Sequence, residues 1–227
     1  MKILGTICAR GGSKGLKNKN IRKIKNKHLI YYTLDQAIKS KIFNEIVVSS
    51  DCKNILHIAK KYGAKNLILR TKKLAKDNSP KIPVIRNCLD KMERIKNQKF
   101  DVIIDLDVTA PLRKILDIKN AYSKFKKTSA TNLFSVCNSR SNPYFNAVEW
   151  KNGKIKPVVS LMKKLTGRQQ APKVYDMNAS IYIWNRKTLK NKNTVFLKNT
   201  EVYLMPEERS IDIDNDFDFK LVSKLLK

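Results

Sequence analysis

The chain has 227 residues, 42% of them hydrophobic, and its 48 Lys and Arg against 19 Asp and Glu give a formal net charge of +29. That length and apolar content suffice for one α/β domain with a full core and exclude a disordered chain. No apolar stretch reaches the roughly 20 residues that span a bilayer, and residues 1–8 enter a strand without a signal-peptide core, so a cytoplasmic protein with no membrane partner is expected. Cys8, Cys52, Cys88 and Cys137 lie far apart with no C-x-x-C pair, which reads as reduced thiols rather than a zinc site or a disulfide framework. The charge invites a nucleic-acid partner, yet only ten of the 48 basic residues are Arg, and Lys is spread along the whole chain. No aromatic–basic platform or helix-turn-helix signature accompanies it, so no dedicated nucleic-acid partner is expected. The excess should instead concentrate anionic substrates, and Lys17–Lys27 reads as solvated loop charge rather than a localisation signal.

Ile3–Cys8 predicts a first strand, running into Ala9-Arg10-Gly11-Gly12-Ser13-Lys14-Gly15-Leu16-Lys17-Asn18-Lys19-Asn20. Paired glycines let backbone N–H groups converge on an anion, and Arg10, Lys14 and Lys19 bring charge to the same volume. The spacing fits neither a P-loop nor a dinucleotide fingerprint. On these residues alone, a polyphosphate grip and a basic surface turn both stay open. Apolar periodicity then predicts helices over Leu29–Lys39, Lys53–Tyr62, Ile82–Asn97 and Asp117–Lys126, interleaved with strands at Glu45–Ser49, Asn66–Leu69, Val102–Leu106 and Asn132–Cys137. Ile55, Leu56, Ile58 and Ala59 mark one face of the second helix, and Gly63 stands at its stop. The alternation implies βαβ crossovers and a Rossmann-like, doubly wound, mostly parallel sheet. Its strand ends would carry Arg10, Arg70, Asp107 and Arg113. Around 139–175 the alternation stops at Asn142-Pro143, Asn152-Gly153, Pro157 and Pro172, which reads as a lid or an oligomerisation arm. Strand patterns resume at Ala179–Trp184 and Val202–Met205, and a last helix is expected near Phe217–Leu226. One domain over 1–227, carrying that insertion, is the expectation.

Further motifs follow in chain order: Arg70-x-x-x-Leu74-Ala75-x-Asp77-x-Ser79, Asp105-Leu106-Asp107-Val108-Thr109-Ala110-Pro111-Leu112-Arg113, Arg168-Gln169-x-x-Pro172-x-x-Tyr175-x-x-Asn178, and Ser210-Ile211-Asp212-Ile213-Asp214. With the opening loop, the series resembles, nearly end to end, the cytidylyltransferases of acylneuraminate-type sugars: the CMP-sialic acid synthetases and their CMP-legionaminic relatives. The resemblance implies a nucleotide-diphospho-sugar transferase type of fold. It also implies an enzyme that joins CTP to a nine-carbon 2-keto sugar acid and releases pyrophosphate. By the same resemblance Arg10, Gly11, Gly12, Ser13, Lys14, Lys19 and Asn20 would hold the triphosphate, with Arg70 and Ser79 near the cytidine. Asp107, Thr109, Arg168, Gln169, Tyr175 and Asn178 would serve the sugar pocket. Asp212 and Asp214 would hold Mg²⁺ (or Mn²⁺), and Lys14, Lys19 and Asp214 would carry the catalysis. The 139–175 excursion would cross to a second subunit, making a homodimer.

Physical chemistry agrees with those roles. Carboxylates at i and i+2 of an extended segment point to one side, and Mg²⁺ takes one or two carboxylates plus phosphate oxygens and waters. The implied step is in-line attack of the anomeric hydroxyl on the α-phosphorus, with no obvious dedicated general base. Two departures stand out. The sialic acid enzymes carry Gln at the place of Asp107; an acidic side chain there could accept from an amino, amide or hydroxyl group but would repel the substrate carboxylate unless aimed away. That favours a modified, legionaminic-type diamino sugar over sialic acid. Ala179 stands where the family usually has Gly. The related CMP-3-deoxy-octulosonate synthetases open on a Ser-Thr-Arg-Leu-Pro-Gly-Lys loop that this chain lacks; a non-catalytic basic nucleotide- or RNA-binding module is the alternative from another class. Outside the motifs, structural roles are expected for Asp216 and Asp218 at a helix start, for Cys8 as a small apolar residue, for isolated His28 and His57, and for Trp150 and Trp184 in packing. Asp105 reads as a turn cap or a second metal site. Arg113 would either bind substrate or pin its turn to a carboxylate.

Overall fold

The computed structural model describes residues 1–12, 15–75, 79–161 and 165–226. Strand β1 (Ile3–Cys8) leads through a short hairpin, β2 (Lys23–Ile24) and β3 (Lys27–His28), to helix α1 (Leu29–Ser40). Then come β4 (Glu45–Ser50), α2 (Lys53–Lys61), β5 (Asn66–Leu69), α3 (Lys81–Lys96), β6 (Val102–Leu106), α4 (Ile115–Lys127) and β7 (Asn132–Asn138). A second hairpin, β8 (Val148–Lys151) and β9 (Lys154–Pro157), precedes β10 (Tyr175–Asn185), α5 (Arg186–Asn191), β11 (Thr200–Leu204) and α6 (Asp216–Leu225).

Seven of these strands form one sheet in the order β11-β7-β10-β6-β1-β4-β5. β1 runs parallel to β4 and β6, β4 to β5, and β7 to β11, while β10 lies antiparallel to both β6 and β7. The period-2 alternation of β1 explains the layering: Ile3 and Ile7 pack into the core under α1, α2, α4 and α6, whereas Leu4 packs with Ile82, Ile85, Leu89 and Met92 of α3 and Leu189 of α5. Helices therefore cover both faces, as expected of a doubly wound sheet. The chain winds outward from β1 through β4 to β5, then returns to lay β6 on the other side of β1. That reversal makes a switch point, where ligands of open α/β sheets bind beyond the strand ends.

Local chemistry sets the helix ends. α4 starts at Ile115, ahead of the expected Asp117, because Asp117 is the N3 residue of a capping box and accepts from the Lys114 N–H at 2.8 Å. The expected structural role of Asp218 is the observed one: it accepts from the N–H of Asp214 and Asn215 at 2.9 and 3.1 Å, closing the capping box of α6. Gly63 closes α2 at φ +95°, the left-handed conformation that glycine tolerates. α5 has only six residues, too few to show periodicity. β10 begins before the expected Ala179 and contains a register shift between Met177 and Tyr182, where Ala179 adopts φ +50°. The packing expectation holds for Trp184, 1% exposed and stacked on Tyr182, but fails for Trp150, which is 73% exposed on the β8–β9 hairpin. Trp150, its cross-strand partner Ile155, and Val148 opposite Pro157 form one apolar face of that hairpin, and all four are exposed. Among the described residues, no helix is long and apolar enough to cross a membrane.

Candidate active site

A cavity of about 590 Å³ opens at the switch point. Arg10, Gly15, Lys19 and Asn20 of the loop after β1 line one side, Asp212 and Asp214 of the segment before α6 another; Cys8, Arg70, Ser79, Lys81, Asp107 and Thr109 complete most of the wall. Residues from the two ends of the sequence thus face one volume. Ser13, Lys14 and Asp77 lie outside the described residues.

Several contacts bind the loop to the acidic segment. Lys19 Nζ lies 3.0 Å from Asp214 Oδ1 and donates to the Ile213 carbonyl. Arg22 pairs with Asp216 at 2.8 Å and lies 4.7 Å from the Phe219 ring centroid. The Ile213 N–H donates to the Thr109 carbonyl at 2.9 Å, tying the segment to the turn after β6. Asn20 shapes the loop from within, donating to the Arg10 carbonyl at 2.8 Å. Gly11 and Gly15 act here through space rather than through left-handed backbone. A Cβ on Gly15 would stand 2.4 Å from the Asp214 carbonyl oxygen, and one on Gly11 would stand 2.9 Å from Cys52 Cβ, while nothing lies within 4 Å of the Gly12 position. The Gly11 N–H donates to Asp51 Oδ1 at 3.0 Å, and Asp51 also lies 3.6 Å from Arg70. Asp51, which no motif marked, thereby couples the loop to the arginine.

The carboxylates differ in state. Asp212 Oδ1 is buried with no hydrogen-bond partner among the described residues. Burial first, then the nearby Asp107 and Asp214 charges, push its pKa up to about 6, against a Thr109 hydrogen bond and Lys19. A buried carboxylate oxygen without a donor suits a cation. Among the described residues no group of three or more His, Cys, Asp or Glu converges on one point, so a cation here would draw further ligands from elsewhere, as Mg²⁺ does from phosphate and water.

Also on the cavity wall, Lys81 Nζ sits 2.6 Å from Asp107 and 3.1 Å from Asp105, 4.2 Å from the Tyr182 ring centroid. Burial works against charge on Asp107, but the Lys81 ammonium outweighs it and holds that carboxyl below its ordinary range. Asp105 is more deeply placed; burial keeps it above its ordinary value despite Lys81 and a 2.6 Å hydrogen bond from Thr6. The ammonium is held above its ordinary value, since the two aspartates overcome the effect of burial. Sequence reasoning missed Lys81; the available signal was a cation directly after Ser79-Pro80, at a helix start where acidic residues are favoured.

Arg113 resolves to a structural part. It is 1% exposed and donates to the Ser180 carbonyl at 2.7 Å, Thr33 Oγ1 at 3.1 Å and the Asp107 carbonyl at 3.4 Å. It pins its turn through neutral oxygens instead of the expected carboxylate, and burial lowers its pKa to about 10. Asn178 does not line the cavity: it accepts from Ser135 Oγ at 2.6 Å and donates to Ser210 Oγ at 2.8 Å, inside the bulge of β10. Arg168, Gln169 and Tyr175 do not line it either. They are exposed on the 139–175 excursion, where Arg168 donates to the carbonyls of Ser139 and Arg140 at 3.0 and 2.9 Å. Cys8 is half-buried, its sulfur 4.0 Å from that of Cys88.

Comparison with known proteins identifies the family and the fold. Residues 4–225 match the family described as Cytidylyltransferase. The chain is 47% identical over 226 residues to the Post-translational flagellin modification protein B of Campylobacter coli, covering 100% of this chain and 95% of that one. It is 48% identical over 225 residues to a CMP-N,N'-diacetyllegionaminic acid synthase of Campylobacter jejuni, covering 99% and 95%. A solved structure of CMP:2-keto-3-deoxy-manno-octonic acid synthetase complexed with CTP superposes with a TM-score of 0.73 at 14% identity, over 100% of this chain and 98% of that one. At that identity the likeness establishes the fold alone.

Proposed function

The chain belongs to the cytidylyltransferase family, and from that premise we propose that it joins CTP to a nonulosonic sugar acid, giving the CMP-sugar and pyrophosphate. The observation that carries the reading is the single cavity in which Arg10 and Lys19 face Asp212 and Asp214. A triphosphate is a polyanion that repels an incoming oxygen nucleophile; arginine offers it a planar fork and lysine a point charge. Lys19 lies on the loop expected to grip the phosphates, so it stabilises charge that moves to the pyrophosphate leaving group as the anomeric hydroxyl attacks the α-phosphorus in line. Asp212 and Asp214 fit a divalent cation, Mg²⁺ or Mn²⁺, on the strength of the buried Asp212 oxygen that has no hydrogen-bond partner among the described residues. Such an ion would supply Lewis-acid stabilisation of the phosphoryl oxygens. Arg70 and Ser79 would flank the cytidine, and Asp107 and Thr109 the sugar. A legionaminic-type acid is favoured by the acidic Asp107 and by the relative of that name.

Arg168, Gln169 and Tyr175 would reach the sugar only in a homodimer, with 139–175 as the arm that crosses between subunits. The exposed apolar face of Val148, Trp150, Ile155 and Pro157 supports this, since a lone two-stranded hairpin is marginal in water and its uncovered apolar face calls for a partner. A CTP-consuming step belongs with the cytoplasmic nucleotide pool. The deciding experiment measures pyrophosphate release with CTP and a panel of nonulosonic acids, with ATP, GTP and UTP as controls. CTP-specific release with a legionaminic-type acid is expected; no sugar-dependent release, or tight RNA binding in its place, would overturn the reading.

A further inference from the structure

Lys81 stands where helix chemistry disfavours it. It is the first residue of α3, in a first turn with no acidic residue, so its ammonium faces the positive end of the helix dipole. Side chains from two strands of the sheet hold it there: Asp105 and Asp107 of β6 and the turn after it, and the Tyr182 ring of β10. Asp105 is fully buried and fixed by Thr6, so the ammonium bridges a buried carboxylate to the one on the cavity wall. Arg113, the neighbouring cation, donates to the main-chain oxygen of Asp107 rather than to its carboxylate. Without Lys81, the Asp107 carboxylate would stand unpaired on the wall where an anionic acceptor must enter, with the buried Asp105 carboxylate behind it and Asp212 and Asp214 also lining the cavity.

This arrangement removes the difficulty that an acidic Asp107 posed for an acid substrate. We propose that Lys81 is a specificity-determining residue: it neutralises Asp107, so that the cavity receives an anionic sugar while the Asp107 oxygens still accept from the sugar's N–H or O–H groups. The proposal deepens the CTP and nonulosonate reading and rests on it. Lys81 and Asp107 form one cavity-facing unit, behind which Asp105 keeps its Thr6 hydrogen bond; either charge of the unit left alone would stand unpaired toward the substrate.

Steady-state kinetics with CTP and N,N'-diacetyllegionaminic acid on the wild type, Lys81→Gln, Asp107→Asn and the double variant test this. Lys81→Gln should raise KM for the sugar acid by about tenfold or more and leave KM for CTP within about threefold. The double variant should return to within about fivefold of wild-type sugar KM. An unchanged sugar KM in Lys81→Gln, or a double variant whose loss is the product of the two single losses, overturns the proposal. Should Lys81→Gln fail to fold, the double variant decides alone: wild-type-like sugar KM supports the unit, and a rise of about tenfold overturns it. Failure of the wild type to use any nonulosonate with CTP is a different result and removes the functional reading itself.

Discussion

Gly15→Ala isolates the joint between the phosphate loop and the acidic segment. The added Cβ would stand 2.4 Å from the Asp214 carbonyl oxygen, and ordinary carbon–oxygen contact needs about 3.3 Å. Close to 1 Å must therefore be found, and the obstacle is backbone rather than a flexible side-chain end. Moving either strand of the joint disturbs the 3.0 Å Lys19–Asp214 contact and the Lys19 bond to the Ile213 carbonyl. A misplacement of about 1 Å at a reacting constellation costs about 100-fold in rate. Initial rates of pyrophosphate release at varied CTP should show that fall in kcat/KM, with a melting temperature lowered by only a few degrees. Gly12→Ala, whose Cβ meets nothing within 4 Å, should keep the wild-type melting temperature and so separate crowding at Asp214 from a general intolerance of side chains in the loop. A Gly15→Ala enzyme within about threefold of wild-type kcat/KM would refute the reasoning.

Ala179→Gly should stabilise the fold. Relief of about 1–2 kcal/mol of left-handed strain exceeds the roughly 0.4–1 kcal/mol of extra unfolded-state freedom, so thermal melting should move up by about 2 °C; a lower melting temperature contradicts the strain at φ +50°. Asp212 makes the chelator-treated protein pH-sensitive. Its folded pKa of about 6 exceeds the ordinary 3.8, so the native state keeps a proton that the unfolded chain has released. Stability should then fall as pH rises through that window, by at most about 3 kcal/mol from this group. Urea unfolding at pH 4 and pH 7.5 should show the difference in the wild type and much less of it in Asp212→Asn; equal pH dependence in the two would count against it. Arg113→Lys should lose about 2–4 kcal/mol in the same assay, because one ammonium cannot replace a planar fork serving the Ser180 and Asp107 carbonyls and the Thr33 hydroxyl. Trp150→Glu should convert a species of about twice 26.2 kDa into a monomer on size-exclusion chromatography and lower turnover; a wild type already monomeric would remove the crossing arm.

Period-2 and period-3.6 patterns report burial close to each residue, and they placed β1, β4, β5, β6 and β7 and the long helices to within a residue or two. The same local logic marked the glycine-rich loop, the turn after β6 and the paired aspartates, since short-range chemistry fixes which residues can grip phosphate or carry a carboxylate. Other features depended on partners distant in sequence. β10 inserts antiparallel between β6 and β7, a placement that no strand pattern encodes, and Arg113 reads as structural only once Ser180 and Thr33 surround it. Asn178 turns inward to Ser135 and Ser210, and Lys81 gains its meaning from Asp105 and Asp107. Lys19 and Asp214 stand 195 positions apart, and no local pattern encodes their contact. Sheet order and the hydrogen bond from the Ile213 N–H to the Thr109 carbonyl bring the two loops together, and the pairing of each charge then determines what it can do.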